Sequence, residues 1–176
     1  MEFLKYFFLI SFISLGISCT KEDNAPDNQT QEEEEDNLPI APAFELTSLD
    51  GQTVKLADYK EKVVVLFFFG NNCPSCKNVG PKIESDLNKV FSSNTSFAIL
   101  GLDQWDGNTA SVNSFKSVTG ITFPLLQKAS ATAKAYESTY DRLVVINKKG
   151  KIAFRGGRLA SSDLADVKAL VENLLK

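Results

Sequence analysis

Two cysteines, Cys73 and Cys76, stand two residues apart in the stretch FFFGNNCPSCKNVGP, residues 67–81. Thiols at that spacing support three uses: a dithiol–disulfide pair that moves two electrons, half of a metal site, or small apolar fillers of a core. Composition narrows the choice. The chain has three cysteines, the third being Cys19, and no histidine. Neither a four-cysteine nor a mixed Cys/His zinc site can be built from it. The lack of histidine also removes Ser-His-Asp and Cys-His catalysis in their usual forms.

A redox pair needs a setting that stabilises a thiolate, and the flanking pattern supplies one. KVVVLFFFG, from Lys62, is a continuous β-branched and aromatic run, the pattern of a central strand buried on both faces. From Pro74 the period changes to that of a helix, with Val79, Ile83, Leu87 and Phe91 spaced by four. Pro74 suits the first helical position, and Pro81 predicts a kink because it lacks a backbone donor. Cys73 thus falls where the strand gives way to the helix. Free N–H groups and the positive end of the helix dipole there favour its thiolate. Cys76, one turn later, is close enough to close a small disulfide and is expected to be the more shielded. Cys73 would attack, and Cys76 would resolve the mixed disulfide.

The remaining elements frame this junction. APAFELTSLDGQTVKLADY alternates around the turn pair Asp50-Gly51 and predicts a short hairpin. SFAILGLD predicts a second buried strand, Thr109–Thr119 a short helix with Val112 and Phe115 inward, and Ser130–Ser138 a weaker helix. RLVVIN, the turn KKGK and IAFRG predict a strand, a tight turn and a strand. Ser161 or Ser162 is expected to cap a last amphipathic helix carrying Leu164, Val167, Leu170, Val171 and Leu174. This order predicts an α/β fold, a mixed central sheet flanked by helices with an N-terminal β-hairpin.

The N-terminal part has a different character. Residues 1–18, MEFLKYFFLISFISLGIS, carry Lys5 and then an apolar run to Ile17 that is short for a bilayer span. Ending on small residues before Cys19, they resemble a bacterial lipoprotein signal peptide, which implies lipidation at Cys19 and attachment to a membrane. Residues 19–38 are polar and acidic and predict a disordered tether, leaving 39–176 as one folded domain. The opening CTKED also resembles the signals that carry some Bacteroidetes-type lipoproteins to the cell surface. Residues 21–37 hold eight acids and one lysine, net −7, so residues 38–176 carry +4. These lysines are scattered without interleaved aromatics, which does not indicate nucleic-acid binding. Gly156-Gly157 lacks the rest of a phosphate-cradling motif, and no organic cofactor is implied.

The hairpin, CPSC, Pro81, ITFPLL and VVINKKGKIAFRG together resemble the TlpA-like, membrane-tethered thiol–disulfide oxidoreductases of thioredoxin fold. The resemblance implies an enzyme of the cell envelope, facing the periplasm or the cell surface. Its partners would be exported cysteine-containing proteins and a membrane or periplasmic thiol electron donor. The departures from the family pattern are informative. Asn72 stands where a tryptophan is usual before the first cysteine. Phe67 stands where thioredoxins bury an aspartate, and Val79 where some relatives place a glutamate. Asp103, ending the second strand, is the nearest carboxylate candidate for proton transfer, and it also suits a turn. Asp141 or its neighbour occupies the place of the family's cis-proline.

Two alternatives stand beside the oxidoreductase. Asp141-Arg142 resembles peroxiredoxin-like branches, in which Arg142 would steady a departing hydroxide while Cys76 closed on the Cys73 sulfenic acid. Gly70, three residues before Cys73, lacks the threonine of that family. The other is a soft-metal module holding copper(I) between two thiolates. Trp105 and Tyr140 are expected in loops beside the pair, as an apolar partner groove or as ordinary packing.

Overall fold

The computed structural model describes residues 37–157 and 159–176. The segment read as a signal peptide, Cys19 and all but the last two residues of the expected tether lie outside them. Seven strands form one mixed sheet: β1 (Glu45–Ser48), β2 (Thr53–Lys55), β3 (Val63–Phe69), β4 (Phe97–Asp103), β5 (Leu125–Gln127), β6 (Arg142–Ile146) and β7 (Ile152–Arg155), in the order β2-β1-β5-β4-β3-β6-β7. β3 lies at the heart of the sheet, parallel to β4 and antiparallel to β6. All seven of its residues are buried, as its unbroken apolar sequence requires. β1 and β2 form the expected antiparallel hairpin, turned at Gly51, whose φ of +77° suits glycine.

Strand alternation divides the core in two. Val63, Val65, Phe67 and Phe69 face one layer, with α1 (Pro74–Ile83), α2 (Thr109–Thr119) and α4 (Ala160–Leu174). Val64, Leu66 and Phe68 face the other, with α3 (Ser130–Ala135), Tyr136 and the segment around Ala41 and Phe44. Among the described residues, both layers are built from residues between Ala41 and Leu175. Among the described residues no helix is long and apolar enough to cross a membrane.

Pro81 lies inside α1 without ending it. Downstream the helix loosens into a wide turn over Glu84–Asn88, where the Lys89 N–H reaches the Glu84 carbonyl, and then closes with Lys89–Phe91. Val79, Ile83, Leu87 and Phe91 stay buried along one face throughout. The Glu84 carboxylate, itself buried, accepts from the Thr122 N–H (2.9 Å), the Thr122 hydroxyl (2.8 Å) and Asn88 Nδ2 (3.0 Å). It fastens the wide turn to the loop before β5.

Two local expectations need correction. α3 ends at Ala135, three residues short of Ser138. α4 begins at Ala160, so Ser161 and Ser162 lie in its first turn and neither caps it. The Ala160 N–H is taken by Asp141 from the loop before β6, through Oδ1 at 3.1 Å and the carbonyl at 3.0 Å. A cap supplied from elsewhere in the fold leaves no local sequence sign.

Candidate active site

Gly70, Asn71 and Asn72 carry the chain from the end of β3 to Cys73, at the carboxyl ends of the parallel strands. Cys73 occupies the N-cap of α1 with extended backbone, and Pro74 takes the first helical turn, where its missing N–H costs nothing. The Cys73 sulfur accepts from the Cys76 N–H at 3.1 Å, so one of the orphan donors of the helix points at it. The Cys73 N–H bonds the Gly70 carbonyl (2.9 Å), and the Lys77 N–H bonds the Cys73 carbonyl (3.0 Å). Cys73 and Cys76 form a disulfide with their Cα atoms 5.3 Å apart. Both are buried: Cys73 is 1% exposed and Cys76 0%. Cys76 is the one expected to be more shielded, and in this oxidised state the two differ by only that one percentage point. Ser75 Oγ lies 3.2 Å from the Cys73 sulfur.

The cysteine loop is clasped from β4. Asp103 Oδ1 accepts from the Asn71 N–H (3.1 Å), Asn71 Nδ2 (3.2 Å) and the Trp105 N–H (3.3 Å). Its Oδ2 accepts from Asn71 Nδ2 (3.1 Å) and the Gly107 N–H (2.7 Å). One buried carboxylate thus joins the loop bearing the cysteines to the loop bearing Trp105. The indole of Trp105 rests on Gly70, where any Cβ would fall inside the ring system. It also meets Tyr140 edge-on, with centroids 5.2 Å apart. The indole remains 44% exposed. Three loops thus converge above the ends of β3, β4 and β6.

The protein-family model for AhpC/TSA matches residues 39–155, most of the folded domain and two thirds of the chain. The chain belongs to the AhpC/TSA family. It is similar to the thiol–disulfide oxidoreductase ResA of Bacillus subtilis, 27% identical over 114 residues, which cover 64% of this chain and 62% of ResA. It is also similar to the thioredoxin-like protein YneN of the same organism, 27% identical over 113 residues, 64% of this chain and 66% of YneN. The chain therefore spans somewhat less than two thirds of either relative. Among solved structures, a Bacteroides thetaiotaomicron protein put forward as a protein disulfide isomerase is 30% identical, with a TM-score of 0.70 over 78% of this chain and 88% of that one. The fold is thioredoxin-like, of the TlpA-like redoxin kind.

Within this family frame, the residues singled out from the sequence separate. Cys73, Cys76 and Pro74 meet at the head of α1 as expected. Phe67 fills the slot of the missing aspartate with a ring stacked on Phe69 at 5.9 Å, in the layer that also holds the disulfide. Asp103 is a clasp: both its oxygens are taken by N–H donors, and the turn reading describes it better than proton transfer. Asp141, in the left-handed region at φ +58°, occupies the corner before β6 and caps α4. Every described peptide bond is trans. Arg142 pairs across the sheet with Phe68 and shares the face of Val144 and Ile146, opposite the disulfide layer. Its guanidinium donates to the Glu137 carbonyl at 2.9 Å. The geometry gives it no role at the Cys73 sulfur. Asn71 and Gly70 escaped the sequence reading as positioning residues, since their partners lie more than thirty positions away.

Proposed function

We propose that this chain is an extracytoplasmic thiol–disulfide oxidoreductase, tethered through a lipid on Cys19, that exchanges its Cys73–Cys76 pair with cysteines of exported proteins. The observation that carries it is the disulfide at the head of α1, with the Cys73 sulfur receiving the Cys76 N–H. In the oxidising direction a partner thiolate attacks the Cys73 sulfur. The Cys73–Cys76 bond breaks and Cys76 leaves as a thiolate that takes up a proton. A second partner thiolate then attacks the partner's own sulfur in the mixed disulfide and releases Cys73 as a thiolate. Two electrons pass to the chain and the partner gains a disulfide. In the reducing direction Cys73 attacks first and Cys76 resolves. The helix N-terminus stabilises the Cys73 thiolate in both directions.

The likeness to ResA and to the Bacteroides thetaiotaomicron disulfide isomerase structure supports the reading, and the placement of Arg142 on the face opposite the disulfide weakens the peroxidase alternative. The test is the equilibrium reduction potential of the pair in residues 37–176 against glutathione. A reversible two-electron couple is expected between about −270 mV and about −120 mV, the low end marking a reductase and the high end a thiol oxidant. A pair that does not cycle would remove the redox reading.

A further inference from the structure

At the pole opposite the cysteines, the first residues of β3 and the last of β6 open onto a cavity of about 460 Å³. Its walls are apolar, with Leu56, Tyr59, Val64 and Ile146, and Ile40 stands at it 79% exposed. Four of the lining residues are lysines, against the single acid Glu61. Asn147 lines it too and is 3% exposed. Its Oδ1 accepts the N–H groups of Lys149 (3.1 Å) and Lys151 (3.0 Å), which fixes the amide orientation. Nδ2 is left as a buried donor with no partner among the described residues.

We infer that this cavity binds a single-chain amphiphile with a carboxylate head. The apolar walls take the chain. Lys62 and Lys148 supply a positive field for the head; an alcohol head would leave that field unanswered. The seven residues of β3 separate this cavity from Cys73 by about 20 Å, so the inference stands apart from the redox reading.

Residues 37–176, isotope-labelled, are titrated with sodium decanoate below its micelle concentration and followed by NMR. Saturable shifts are expected at the amides of Tyr59, Val64 and Ile146. Octanoate should bind about tenfold more weakly for its two missing methylenes. The double variant Lys62→Glu/Lys148→Glu should weaken decanoate about tenfold and leave decanol unchanged. Ala57→Trp, an exposed lining position, should block the cavity without disturbing the core. Circular dichroism verifies that both variants fold. Absence of saturable shifts, decanol binding as tightly as decanoate, or binding to phosphatidylglycerol vesicles but not to free decanoate would each overturn the assignment. Folded variants that bind like the parent would do so as well.

Discussion

Trp105 is the one tryptophan of the chain, and its indole lies on the loop that delivers Cys73. The contact exists because residue 70 has no side chain. Gly70→Ala should push the indole away, costing about 1–3 kcal/mol of stability and shifting the tryptophan emission; an unchanged spectrum and urea midpoint would contradict the packing. The cysteines differ in what their loss should reveal. Cys73→Ser should abolish insulin reduction. Cys76→Ser should instead trap mixed disulfides, because the attacking sulfur remains and the resolving one is gone. Non-reducing gels of the Cys76→Ser protein incubated with an exported-protein extract read that difference directly.

At the scale of elements, the buried acids Glu84, Asp103 and Asp141 share a task. Each accepts backbone N–H groups from a segment distant in sequence and ties two elements together. Asp103→Ala would strand the Asn71, Trp105 and Gly107 donors and should lower stability by about 3 kcal/mol, measurable as a drop in urea midpoint. Glu84 gives a pH signature. Burial pushes its carboxyl up, but donors from Thr122 and Asn88, with the Lys89 charge, outweigh burial and hold it below the ordinary glutamate value. A depressed folded value means that its stabilisation is present above the unfolded value of about 4.3 and is lost as pH falls through the folded one. The urea midpoint of the parent should therefore fall more steeply below about pH 4 than that of Glu84→Gln. These clasps also mark where sequence reading stops. The apolar run of β3, the four-residue spacing from Val79 to Phe91 and the Asp50-Gly51 turn are local patterns; they predicted the strand nearly to the residue, the hairpin, and the start and buried face of α1, though not the wide turn after Ile83. The partners of Asp103 and Asp141 are set by how loops meet after the sheet has formed. From the chain alone, an aspartate at a strand end reads equally as chemistry or as turn.

For the whole molecule, the order of strands and helices was enough to give the mixed sheet with helices on both faces and to put the cysteines at its carboxyl end. Which face each side chain takes was harder. Arg142 is one residue from Asp141 in the chain, yet strand alternation sends it to the layer opposite the disulfide. The proposed anchoring at Cys19 has its own consequence. Cys19→Ala should move the protein out of the membrane fraction and abolish fatty-acid labelling, with the potential of the Cys73–Cys76 couple unchanged.

The burial of both sulfurs bears on timing. Exchange proceeds only as fast as a thiolate reaches sulfur along the bond axis, and here both cysteines are almost wholly buried. Small thiols colliding from solution are met by a closed surface, whereas a partner that binds first can open the cysteine loop and reach Cys73. On the proposed function, the disulfide should exchange more slowly with small thiols than with partners that dock first, a difference that shows in the rate of exchange and leaves the equilibrium with glutathione unchanged.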